Sequence, residues 1–194
     1  MESRFDRARI GVDIDSTLAN LVAAMVYRYN QRHPVHTTVV EWDSWGMHEK
    51  LNITKDEFYQ TMNNAWKDWQ SMPLQELGLS TTLKKLQKLG SVTIISNRHI
   101  VTHAAVGLWL EYHCLPYDAL VLDSSTGMDK WDYPIDILID DNPKHAEAIP
   151  DGRLLLLRDH PWNRHIDNSD RITRVSNVFT AADLLTRRKA AYGG

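Results

Sequence analysis

The sequence predicts an α/β fold: a doubly wound parallel sheet with a small helical cap inserted after the first strand and helix. Three observations lead there. Short aliphatic runs bounded by polar residues recur along the chain, and helical periodicities fill the intervals between them. One stretch, residues 34–80, breaks that alternation with helical patterning alone. The runs from Ile10 to Ile14, Val92 to Ile95, Ala119 to Leu122, Ile135 to Ile139 and Leu154 to Leu157 carry the continuous, often β-branched content of strands covered on both faces. Leu18, Leu21, Val22, Met25, Val26 and Tyr29 fall on one face of a first helix. A second is marked by Leu83, Leu86 and Leu89 and closed by Gly90, and a third by Ala104, Ala105, Leu108, Trp109 and Tyr112. Asn142-Pro143 suits the start of another helix, with Asn as the cap and Pro in the first turn, and Thr180 can cap the last. Residues 1–33 and 81–194 then form the main α/β core. Residues 34–80 form the cap, with Phe58, Tyr59, Met62, Trp66 and Trp69 at helical spacing.

Composition narrows the functional classes. A length of 194 residues fits one core with an insertion better than two equal domains. The single cysteine, Cys114, excludes an intramolecular disulfide framework and a Cys-rich zinc site, which fits a reducing, cytoplasmic setting. With 22 Lys and Arg against 25 Asp and Glu, the formal net charge is −3, so no global basic field favours a nucleic-acid polymer or an anionic membrane. Any phosphate binding must be local. Met1 to Arg9 is polar, without the apolar core of a signal peptide, and no apolar run approaches the ~20 residues of a membrane span. A soluble chain is expected, and monomer and homodimer both stay open.

The chemistry concentrates at strand ends. Asp13 and Asp15 lie two residues apart where the first strand meets the first helix, so in extended chain they point to the same side. Ile135 to Ile139 runs directly into Asp140-Asp141. In open α/β sheets ligands bind at these carboxyl ends, near the topological switch point. Were the two strands neighbours, like charges about 4 Å apart would cost ~4 kcal/mol per pair, relieved by protonation or by a cation. An all-oxygen set favours Mg²⁺ over zinc or copper. The alternative for each Asp is simple capping of the helix after it. A third strand end supplies Ser96, Asn97 and Arg98, donors suited to phosphate, although a Ser/Asn turn with a solvated Arg explains the same tripeptide. Lys130, ten positions before Asp140, reads by itself as a surface lysine.

Taken in order, Asp13-x-Asp15-x-Thr17, Ser96, Lys130 and Asp140-Asp141 resemble the four motifs of the haloacid dehalogenase superfamily of phosphotransferases. The helical insertion, the position of Lys130 and the stretch from Leu157 to Arg164 resemble its 5'(3')-deoxyribonucleotidase branch. The resemblance implies that Asp13 is the phosphoryl-accepting nucleophile and Asp15 the general acid/base. It further implies that Asp13, the backbone carbonyl of Asp15 and an Asp of the Asp140-Asp141 pair hold Mg²⁺. Ser96, Asn97, Arg98 and Lys130 would bind the phosphoryl oxygens. The implied activity is hydrolysis of nucleoside monophosphates, deoxyribonucleotides in particular, with sugar phosphates or a non-catalytic binding module as alternatives.

Four of the seven tryptophans, Trp42, Trp45, Trp66 and Trp69, lie in the insertion. At least one of these, or Phe58 or Tyr59, is expected to face the cleft and stack on a base; Trp45, Trp66 and Trp69 are the base-binding candidates, against the alternative of cap core. His99 and His103 have metal-ligand spacing but no evident third ligand, and Cys114 has no base–orienter setting, so both are expected to be idle.

Overall fold

The computed structural model describes residues 8–124 and 129–192. Residues 1–7, 125–128 and 193–194 lie outside the described residues. The sheet contains β1 (Ala8–Val12), β2 (Gly90–Asn97), β3 (Ala119–Asp123), β4 (Ile137–Asp140), β5 (Leu154–Arg158) and β6 (Ile172–Val175), all parallel, in the order β3-β2-β1-β4-β5-β6. The chain moves outward from β1 to β3, then returns to place β4 on the other side of β1. The switch point therefore falls between β1 and β4, where a crevice opens at the strand carboxyl ends.

The expected strands β1, β2, β4 and β5 are present because their side chains are buried on both faces: Ile10, Val12, Ile94, Ile139 and Leu156 fall in one apolar cluster, Ile95, Leu138, Leu155 and Leu157 in another; β3, also expected, is an edge strand and only partly buried. Gly90 is required by the close approach of β1 and β2, since a Cβ there would lie 1.9 Å from the Ala8 carbonyl oxygen. The edge strand β6 was not among the expected runs. Its Ile-Thr-Arg-Val sequence is short and partly exposed, so it lacks the apolar run that marks the inner strands.

The helices are α1 (Leu21–Asn30), α2 (Met47–Lys50), α3 (Lys55–Lys67), α4 (Leu79–Gln87), α5 (His103–Tyr112) and α6 (Val178–Tyr192). α1 starts later than its apolar spacing suggests. The Asn20 side chain caps it by accepting from the Ala23 N–H, while Leu18 and Ala19 close a turn onto the Ile14 carbonyl. α6 is capped by Asn177, which accepts from the Thr180 N–H at 2.7 Å; Thr180 is inside the helix rather than its cap. Asn142 does act as a cap, accepting from the Lys144 N–H at 3.0 Å, but Pro143–Ala146 is a single 3-10 turn. Between α1 and α4 the chain forms helices and turns with one isolated bridge, from Leu74 back to Ala19, and α3 packs on α1. Trp42, Met47, Ala65 and Trp66 share one apolar cluster with β1, β2 and β4, so the insertion is seated on the sheet by common core. No helix among the described residues is long and apolar enough to cross a membrane.

Candidate active site

β1 and β4 are paired with Val12 opposite Ile139, and the Asp13 N–H extends the ladder by donating to the Ile139 carbonyl at 2.9 Å. That register sets Asp13 beside Asp140 and Asp141. Asp13, Asp140 and Asp141 are all buried, and one carboxylate oxygen from each falls within 4.8 Å of the others. Lys130, 4% exposed, reaches into the group from the 3-10 turn Lys130–Asp132; its Nζ pairs with Asp13 and, at 2.7 Å, with Asp140. Ser96, at the end of β2, lines the same cleft with Asn97.

One lysine faces three buried carboxylates, and the balance shows in their protonation. Burial pushes the Asp13 carboxyl up to about 8, with Asp140 and Asp15 adding to the rise and Lys130 opposing it. Burial likewise holds Asp141 well above the usual carboxylate range, reinforced by Asp140 and Asp13. Burial acts upward on Asp140 too, but Lys130, His145 and the Asn142 N–H outweigh it and hold that carboxyl below its ordinary value. Desolvation would lower the Lys130 ammonium, yet Asp13 and Asp140 raise it above normal, so it stays charged. The site is short of positive charge, and its cluster offers oxygen donors only. Those properties fit a hard divalent cation held by Asp13 and the Asp140-Asp141 pair.

The loop after β1 is tightly determined. Ser16 adopts φ 59°, a left-handed conformation uncommon outside glycine, and its N–H donates to the Ala19 carbonyl. Asp15 lines the cleft beside it, and both carboxylate oxygens are engaged. Oδ1 accepts from the Trp66 indole N–H at 2.8 Å, and Oδ2 pairs with the Arg98 guanidinium.

These contacts relocate three expected site residues. Arg98 is buried, bonded to Asp15 and Thr102, and does not line the cleft, so it is the partner of an acid rather than an open phosphate ligand. Trp66 is fully buried, edge-on to Trp109 at 5.6 Å, and cannot stack on a ligand. Trp69 packs against Tyr112 outside the cleft. Of the three base-binding candidates only Trp45 faces the cleft, with Trp42, Phe58 and Tyr59 contributing other rings of its wall. The cleft has a volume of about 410 Å³, and its lining combines the carboxylates and Lys130 with these aromatics.

Some participants carried no recognised signal. Trp162 donates its indole N–H to Asp141 at 3.0 Å, and Asn163 donates to the Asp141 backbone carbonyl. His145 is buried between Asp129 and Asp140, 3.1 and 3.6 Å away. The stretch from Leu157 to Arg164 contains the first two, but only pairing across the fold shows what they hold. His99 accepts from the Val101 N–H and His103 donates to the Arg98 carbonyl, so each has a local partner.

A parallel sheet with carboxylates and a lysine gathered at its β1–β4 switch point, joined to a helical insertion, has the fold found in hydrolases of the haloacid dehalogenase superfamily. The same fold occurs in a haloacid dehalogenase superfamily hydrolase from Geobacter sulfurreducens (TM-score 0.58, 12% identity, covering 95% of this chain and 99% of that one). It occurs also in a phosphonoacetaldehyde hydrolase-like protein from Oleispira antarctica (TM-score 0.62, 12% identity, covering 100% and 98%). Within that class, residues 7–190 match the family described as "5' nucleotidase, deoxy (Pyrimidine), cytosolic type C protein", and the chain belongs to it. A 5'(3')-deoxyribonucleotidase from Clostridium acetobutylicum is 23% identical over 160 residues, which cover 80% of this chain and 84% of that protein. The protein is a phosphoric monoester hydrolase of the 5'-nucleotidase kind.

Proposed function

We propose that the protein is a Mg²⁺-dependent phosphatase of nucleoside monophosphates, with deoxyribonucleotides as its preferred class. The observation that carries this reading is the mixed lining of one cleft: Asp13, Lys130 and the Asp140-Asp141 pair share a space of about 410 Å³ with Trp42, Trp45, Phe58 and Tyr59. The similarity to a deoxyribonucleotidase supports the choice of sugar.

In this reading an Asp13 oxygen attacks phosphorus, the P–O bond to the nucleoside breaks, and Asp15 gives its proton to the departing oxygen. Asp15 then takes a proton from a water that attacks phosphorus, the bond to Asp13 breaks, and inorganic phosphate leaves. A carboxylate nucleophile divides one very slow hydrolysis into two easier steps. Lys130, Ser96 and Asn97 hold the phosphoryl oxygens, and the lysine charge meets the charge spread over them in the transition state. Mg²⁺ held by Asp13, the Asp15 backbone carbonyl and the Asp140-Asp141 pair would supply further positive charge there.

A screen of deoxynucleoside, ribonucleoside and sugar monophosphates, with released phosphate as readout, tests the assignment. Deoxynucleoside monophosphates should give the highest kcat/KM, and EDTA should abolish turnover until Mg²⁺ is restored. Asp13→Asn, nearly isosteric but a poor nucleophile, should remove turnover while leaving the circular dichroism spectrum intact. Activity within about tenfold of wild type, equivalent to about 1.4 kcal/mol of barrier, would exclude the covalent route. A preference for sugar phosphates would exclude the nucleotide reading.

A further inference from the structure

We infer that Trp66 and Arg98 are positioning residues for the proton-transfer step, a buried cradle that fixes the Asp15 carboxyl; the inference rests on the reading of Asp15 as the general acid/base. Asp15 is the part that faces the cleft. Behind it, Trp66 is fully buried and the Arg98 side chain is 1% exposed, and neither lines the cleft. The Trp66 Nε1 donates to Oδ1 at 2.8 Å and Arg98 Nη1 pairs with Oδ2, so the carboxyl is held from both oxygens. The two donors also brace each other, with the guanidinium carbon 4.8 Å from the Trp66 ring centroid. Arg98 Nε is anchored on Thr102 Oγ1 at 3.2 Å, and Trp66 is wedged edge-on against Trp109.

A merely structural account of this cluster is weak. Burying a guanidinium costs several kcal/mol in desolvation, and well-packed apolar residues commonly replace a buried ion pair without loss of stability. What apolar residues do not supply is orientation. A carboxylate offers about four acceptor positions; the cradle uses two and leaves others for the proton in transit. Proton transfer to a leaving oxygen is effective only within hydrogen-bond reach, and a small rotation of the carboxyl loses it. The cradle is also composite. Arg98 comes directly after β2 of the sheet, whereas Trp66 belongs to α3 of the insertion, so Asp15 is fully fixed only with α3 seated on the sheet.

The test varies the leaving group, because a purely structural defect is blind to it. A nucleoside alkoxide needs a proton as it departs, whereas 4-nitrophenolate leaves without one. kcat/KM reports the steps up to that departure for both substrates. Asp15→Asn serves as reference and should depress kcat/KM on a deoxynucleoside monophosphate about 100-fold or more, with a much smaller effect on 4-nitrophenyl phosphate. Trp66→Phe, which deletes the N–H and keeps an aromatic ring, should lower the nucleotide value about tenfold or more and the aryl value by less than about threefold. Arg98→Met should show the same split, and Arg98→Lys should recover part of the nucleotide activity. Equal losses on both substrates in folded variants, or an unchanged nucleotide value, overturn the positioning role while leaving Asp15 as the acid. If Asp15→Asn shows no leaving-group dependence, the acid/base reading fails and the cradle falls with it. Should Trp66→Phe not fold by thermal melt, the Arg98 pair decides alone.

Discussion

Lys130 illustrates how much of a residue's role is invisible until the chain folds. In sequence it is one of 22 basic residues, and only its place in an ordered set of motifs singles it out. In the structure it is 4% exposed and paired with two of the three clustered carboxylates. In the proposed mechanism its charge meets the phosphoryl group most strongly when that group carries its transition-state charge, so Lys130→Ala should lower kcat by about 100-fold or more and change KM by only a few-fold. Steady-state kinetics on a deoxynucleoside monophosphate check this; a raised KM with unchanged kcat would reduce Lys130 to a binding residue. Asp13, Asp140 and Asp141 were legible for a different reason, because carboxylates at the ends of apolar strands are conspicuous against a fully buried background. Trp66 and Arg98 were not. Their bonds to Asp15 span 51 and 83 residues of sequence, and no local pattern records a contact of that length.

At the scale of elements, the segment after β5 acts as a bracket on two loops that line the cleft. His160 stacks on Trp162 with ring centroids 4.3 Å apart and planes at 4°, and its Nε2–H donates to the carbonyl of left-handed Ser16 at 2.8 Å. Trp162 and Asn163 meanwhile hold the side chain and backbone of Asp141. Burial is the main force lowering the His160 pKa to about 4, with Arg158 and Arg164 adding to it and the Ser16 carbonyl and Asp159 opposing. An unfolded histidine titrates near ~6.5. Above that value both states are neutral and the bracket contributes its full stability. As pH falls from about 6.5 towards 4 the unfolded chain takes up a proton that the folded chain refuses, and stability drops by at most ~1.4 kcal/mol per pH unit from this group. Below about 4 the folded ring is protonated too and the loss is complete. His160→Phe keeps a ring against Trp162 but cannot titrate, so urea unfolding between pH 4.5 and 7.5 should give a flatter dependence than wild type. Parallel curves would show that His160 takes up its proton alike in the folded and unfolded chain, so that burial does not lower its pKa. The inner strands, α4 and the helical character of the insertion were readable from apolar spacing. β6 was not, since an edge strand with Arg174 at its centre has no such run.

For the whole molecule, the division of labour stems from the chemistry each part can supply. The sheet gathers charge at its switch point, which suits any phosphomonoester, and nothing there distinguishes a nucleotide from a sugar phosphate. In the proposed function selection falls to the insertion, whose lack of strand-like runs made its helical character visible in sequence but not which of its rings turn outward. Helical spacing placed Trp66 and Trp69 on one helix face; α3 ends at Lys67, Trp69 opens the 3-10 turn after it, and both rings pack against other aromatics. Trp45 and Tyr59, 48% and 57% exposed at the cleft wall, are the rings free to meet a base. Stacking on one ring is worth roughly 1–3 kcal/mol, so Trp45→Ala or Tyr59→Ala should cut kcat/KM for a deoxynucleoside monophosphate by about 5- to 150-fold. A base-free deoxyribose phosphate should be spared, because binding energy from the base is what draws the phosphate onto Asp13. Trp69→Ala should behave otherwise, lowering Tm and affecting both substrates alike, since its ring packs on Tyr112. Measured pairwise on the two substrates, equal losses in the Trp45 and Tyr59 variants would move selection away from the aromatic wall and onto the polar rim of the cleft, where Lys55 and Lys144 stand.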